Sequence, residues 1–189
     1  MTVRDIRQIG NPILRQVATA VDPDAVGAAE TQALIDDLID TMRAANGAGL
    51  AAPQIGVGQR VVVIEVDANR RYPYKPRIPL TVAVNPVITP LDDETFVNNE
   101  GCLSVPLRGD VTRHVNIRVQ FLDRDGVPHD EIKRGLTAGT WQHECDHLDG
   151  RLIVDRANPR TLATWDEFAA HQREGFVARI TAFVERVGS

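Results

Sequence analysis

Apolar positions change their period several times along the chain. Between Asp22 and Gly49, Ile35, Leu38 and Met42 recur every three or four residues, which predicts a helix with one apolar side. Asp22 or Asp24 suits its cap, Pro23 its first turn, and Gly47 its stop. The β-branched run Arg60 to Val66 predicts a strand. Asn69 to Pro79 holds three prolines and four positive charges, which predicts a loop. Leu80 to Pro90 and His114 to Asp123 alternate as strands do, and Asp125-Gly126 marks a hairpin turn. Helical spacing returns at Gly135 to Gly150, with Thr137 as cap and Gly150 as stop. Leu162, Trp165, Phe168, Phe176, Ile180, Phe183 and Val187 then form a stripe, predicting a C-terminal helix over about 161–187, interrupted near Gly175.

Strands in the middle with helices before and after predict an α+β fold: a compact single domain over 1–189, with antiparallel or mixed strands around the Gly135 helix. A chain of 189 residues is long enough for a sizeable core. The net charge of −5 provides no footprint for nucleic acid. No apolar run approaches the roughly 20 residues of a membrane span, and the first residues lack a secretory core. Cys102 and Cys145 are too few for a disulfide scaffold, and a reducing compartment fits them. The expected location is the bacterial cytoplasm, although a mature organellar protein without its leader has the same pattern.

The chemistry concentrates in "QHECDH", Gln142 to His147. Each helical residue advances by about 100°. With His143 at zero, His147 returns to about 40°, Glu144 stands at about 100° and Cys145 at about 200°. His143 and His147 therefore suit one metal ion, with Glu144 beside them as a base. Cys145 faces away and reads as a structural residue. The longer metzincin pattern fails, because Ile153 stands where its last histidine belongs. Two third ligands stay open on spacing alone: Glu167 on the later helix, and Cys102 in "NNEGCLSVP".

Three separated blocks resemble the motifs of the peptide deformylases. They are "GAGLAAPQIG" (Gly47 to Gly56), "EGCLS" (Glu100 to Ser104) and "QHECDH". "GNPILR" near the start, Arg113 and "LDRDG" agree as well, so the resemblance covers about 4–155. It implies hydrolysis of the formyl group of N-formylmethionyl nascent peptides, releasing formate. It implies Cys102, His143 and His147 as ligands of one divalent metal, Fe²⁺ in the cell, with Zn²⁺, Ni²⁺ or Co²⁺ in purified protein. Glu144 would be general base and acid. Gln54 and the backbone N–H of Leu103 would form the oxyanion hole. Gly49 and Gly101 would lie along the substrate. Glu100 would bind within the site, and Ala48, Leu136, Gly139 and Thr140 would line the methionine pocket. Ala48 and Gly139 are smaller than the family's usual residues, which implies a roomier pocket or one filled from elsewhere. Asp146 is expected to contact Arg113. His114, His129 and His171 have no ligand spacing and are expected at the surface. Nothing in the acidic and basic residues of the C-terminal segment supports ribosome contact, and monomer or homodimer is undecided.

Overall fold

The computed structural model describes residues 2–67 and 74–188. Its organising element is strand β2 (Val61–Val66), which pairs with β1 (Gly49–Ala51) on one side and β3 (Ile78–Pro90) on the other. Side chains on a strand alternate between faces, and β2 buries both. Val61 and Val63 join one apolar cluster; Val62, Ile64 and Val66 join another. The sheet continues through β6 (Asn116–Leu122) to β7 (Pro128–Arg134), giving the order β1-β2-β3-β6-β7 with every pair antiparallel.

Helix α1 (Ala29–Ala44) covers the first face with Leu34, Ile35, Leu38, Ile39 and Met42. Burying each such side chain contributes roughly 1.5–3 kcal/mol. Helix α2 (Gly135–Leu148) covers the second face with Ala138, Trp141 and Leu148. A hairpin of β4 (Thr95–Cys102) and β5 (Val105–His114) packs on α2 as a separate two-stranded sheet. The central helix is thereby held between two sheets. Helices α3 (Ile153–Arg156), α4 (Trp165–His171) and α5 (Arg173–Val187) follow. Phe168, Phe176 and Ile180 pack with Phe96, Val115 and Leu136. The fold is the expected α+β arrangement, with antiparallel sheets and a helical C-terminal end.

Several local expectations shift. Asp22 caps a short 3₁₀ turn, Pro23–Ala25, and α1 starts later behind Ala28 without a side-chain cap. Its stop is Asn46 at φ +52°, with Gly47 N–H bonding to Met42 O at 2.9 Å. That closes the end as a Schellman turn one residue before the expected glycine. Gly150 does end α2, at φ +71°. Thr137 lies inside α2 rather than capping it, because β7 runs directly into the helix through Gly135 at φ +53°. The C-terminal break falls at Gln172, the residue between α4 and α5, rather than near Gly175. In the expected loop, residues 69–73 lie outside the described residues, 74–77 are irregular, and Ile78 and Pro79 already belong to β3. Strands β4 and β5 were not legible because buried Asn98, Asn99, Glu100, Arg108 and Arg113 break their apolar alternation.

Candidate metal centre

Helix α2 presents His143 and His147 one turn apart, and the end of β4 brings Cys102 against them. One donor atom from each of the three lies within 4.8 Å of the others. Cys102 Sγ is 3.3 Å from His147 Nε2. His143 Nδ1 faces Glu100 Oε2 at 3.0 Å, which leaves Nε2 for a ligand. A carboxylate on the far ring nitrogen orients a metal-binding imidazole and raises its basicity. A thiolate and two imidazoles suit Zn²⁺ or Fe²⁺ and leave a coordination position for reactant. The donors present therefore fit a divalent ion. Glu167 does not join them: it is exposed on α4 and pairs with His171 at 3.4 Å. Cys145 stays apart, and burial pushes its thiol far above the ordinary value.

Glu144 sits beside the cluster, buried, with Oε2 bonded to no group among the described residues. Burial pushes its carboxyl up to about 7, against the pull of His143 and Lys75. Burial also lowers His147 well below the usual imidazole value, helped by the charges of His143 and Arg113. Burial opposes protonation of His143 too, but hydrogen bonds to Cys102 and Glu100 and the charges of Cys102 and Glu144 prevail and raise it. Glu100 is held well below the carboxylate range: burial works against that, and Arg113 and His143 outweigh it.

Behind the cluster lies a buried ionic chain. Arg113 grips Glu100 through Nε (2.9 Å) and Nη2 (2.8 Å) and reaches Asp146 through Nη1 (2.6 Å). The expected Asp146–Arg113 contact is therefore present, and Arg156 Nη2 joins Asp146 at 2.7 Å. The bidentate Glu100–Arg113 pair and Arg156 were not foreseen, since nothing local marks residues on β5 and α3 as neighbours of α2.

Gln54 lies in a buried 3₁₀ turn, Ala52–Ile55. Its Oε1 accepts from Ala51 N–H at 2.8 Å, which turns Nε2 toward Ser104 Oγ (3.1 Å) and Cys102 Sγ (3.7 Å). Gly49 is the only residue size that fits its place, because a Cβ would fall 2.3 Å from Glu144 Oε1. At Gly101 a Cβ would fall 2.6 Å from Trp165 Cζ2. Trp165 was expected only as part of an apolar stripe; it is stacked under Arg108, 4.2 Å from guanidinium carbon to ring centroid.

A cavity opens at the cluster, and Ala48, Gly49, Gln54, Glu100, Gly101, Leu103, Gly139 and Thr140 all line it. Leu136 does not: it is buried among Phe96, Val115 and Phe168, because its direction on α2 is toward the hairpin. Tyr74, Lys75 and Asn98 line the cavity as well, and sequence reasoning missed them. His114 is half-buried rather than fully at the surface; its Nδ1 is enclosed and its backbone bonds the Gln142 amide.

A family profile described as polypeptide deformylase matches residues 3–163. A peptide deformylase of Leptospira biflexa is 47% identical over 169 residues, covering 88% of this chain and 94% of that protein. Peptide deformylase 1 of Prochlorococcus marinus is 49% identical over 158 residues, 82% of this chain and 81% of its own length. Among solved structures, the Met-Ala-Ser-bound class I type b peptide deformylase of Acinetobacter baumannii superposes with a TM-score of 0.79 at 36% identity, covering 82% of this chain and 98% of that one. The peptide deformylase of Legionella pneumophila gives 0.72 at 33% identity over 98% of this chain and 96% of its own. With its three motif blocks gathered on one cavity and these matches spanning most of its length, the chain belongs to the polypeptide deformylase family.

Proposed function

We propose that this protein removes the formyl group from N-formylmethionyl peptides of nascent chains, releasing formate and a free α-amine. The observation that carries the reading is the meeting of Cys102, His143 and His147 beside a buried carboxylate, Glu144, whose Oε2 has no partner among the described residues. Cys102, His143 and His147 would hold one divalent ion. When bound, such an ion supplies a nucleophilic water at neutral pH and polarises the formyl carbonyl. Glu144 takes the proton of the attacking water and delivers it to the departing amine as the C–N bond breaks. The Gln54 amide and the Leu103 N–H donate to the oxyanion; losing one such donor typically costs about 10²–10³ in rate. Gly49 and Gly101 line the cavity, along which an extended peptide would lie by analogy with the Met-Ala-Ser-bound enzyme of Acinetobacter baumannii.

Fe²⁺ is the proposed ion in the cell, and the cytoplasm the proposed location. Among the described residues no helix is long and apolar enough to cross a membrane. A ferrous–thiolate site is open to oxidation at sulfur, so protein prepared in air should lose activity relative to protein prepared without it. Equal activity with iron retained would rule iron lability out.

The deciding experiment is formate release from formyl-Met-Ala-Ser by anaerobically prepared, Fe²⁺- or Ni²⁺-loaded protein, with Glu144→Ala beside it. Activity in the wild type, with a fall of at least about 10² in a variant that still holds metal, is expected. A folded, metal-loaded wild type that releases no formate would overturn the proposal. A ligand set completed by Glu167 instead of Cys102 loses its ground, because Glu167 is exposed and away from the cluster.

A further inference from the structure

The cavity beside the ligand cluster is polar and small where a thioether side chain would ask for an apolar slot. Its volume is about 50 Å³, room for a few waters. Gly139 does not enlarge it, because Phe96 Cζ already stands 3.2 Å from where a Cβ would be. Lys75 enters from the segment before β3, with Nζ 3.0 Å from Thr140 Oγ1. The Thr140 hydroxyl donates to Leu136 O at 3.1 Å, so its oxygen faces the lysine as an acceptor. Buried Asn98 adds a side-chain amide to the same wall.

The placement relates this wall to the reaction. Thr140 precedes His143 by three residues and Glu144 by four, so it stands one helical turn from the reacting face. A peptide with its formyl carbon at the ligand cluster would direct its first side chain toward Thr140 and Lys75. An alkyl end arriving there would offer the ammonium no hydrogen bond. An oxygen acceptor would return a charge-assisted one. Glu100 and Glu144 line the same cavity, and they disfavour an incoming carboxylate.

Building on the deformylase reading, we propose that Lys75 is a specificity-determining residue, selecting N-formyl residues whose unbranched side chain ends in a neutral hydrogen-bond acceptor, such as an amide or sulfoxide oxygen. Formyl-methionine remains a substrate and ranks between these and a purely aliphatic chain.

The test measures kcat and KM for formate release from formyl-Xaa-Ala-Ser, with norleucine, methionine, methionine sulfoxide, glutamine or glutamate at Xaa. In the wild type, glutamine and the sulfoxide should exceed norleucine in kcat/KM by roughly tenfold, mainly through KM. Glutamate should fall below glutamine. Lys75→Met should reverse the glutamine–norleucine order, and Lys75→Arg should keep it. A wild type that favours norleucine, or an order unchanged in Lys75→Met, would overturn the inference. The wild-type ranking decides alone if Lys75→Met does not fold. Formate with the wrong ranking sinks this inference only; no formate from any peptide sinks the deformylase reading and this inference with it.

Discussion

Two charged regions of this protein use the same residue types at similar distances and differ in their access to water. Between β4, β5 and α2, Arg113 holds both oxygens of Glu100 and reaches Asp146, and all three are buried. On the β6–β7 hairpin, Arg118 holds both oxygens of Asp130, with Nε 2.7 Å from Oδ1. The Arg113 side chain is 2% exposed and the Arg118 side chain 49%. Geometry alone does not separate the two pairs. Water screens the hairpin pair, which then contributes little. The interior pair has lost its hydration, so each charge depends on its partner. The interior charges also have a task, since Glu100 fixes the ring of His143.

The hardest way to break this comparison is Arg113→Met. It leaves Glu100 without its guanidinium and Asp146 with Arg156 alone, and should cost roughly 3–5 kcal/mol of stability. Denaturant titration reads it, and a loss below about 1 kcal/mol would place Arg113 with the surface pairs. Glu100→Gln should fold but weaken metal binding roughly 10–100-fold in a chelator competition; unchanged affinity would reduce Glu100 to packing. The acid limb sharpens the same point. Glu100 is held below its ordinary value of 4.5. The stability it contributes is therefore fully present above that value and drains as pH falls through the lower folded-state value. Metal-free Glu100→Gln should accordingly lose less stability on acidification than metal-free wild type, and parallel acid curves would contradict this. The smallest effect is expected from Arg118→Ala, with midpoint and formate release both at wild-type level. A clear loss in either would mean that exposure does not decide what these pairs contribute.

The same division runs through what was legible in the sequence. Ile35, Leu38 and Met42 revealed α1, and Val61 to Val66 revealed β2, because apolar burial repeats with the backbone period. The β4–β5 hairpin stayed hidden, since its inward positions carry Asn98, Glu100, Arg108 and Arg113 to serve the site rather than the core. His143, Glu144 and His147 were legible for the opposite reason: helix geometry alone makes them neighbours. Cys102 and Glu167 were equal candidates by spacing. The motif resemblance favoured the cysteine, and the fold put Cys102 3.3 Å from His147 while leaving Glu167 in solvent.

By itself the sequence determined what one turn or one pleat can hold: the His143–His147 face, the reversed direction of Cys145, the glycine end of α2, and the class of fold. The tertiary structure decided what depends on strand register and packing between distant segments. Glu100 meets Arg113 because β4 and β5 pair antiparallel, Gly49 must lack a side chain because Glu144 occupies the space, and Lys75 reaches Thr140 from 65 residues away. Local backbone geometry fixes neighbours a turn apart, whereas contacts across the fold exist only once apolar burial has chosen how the layers stack.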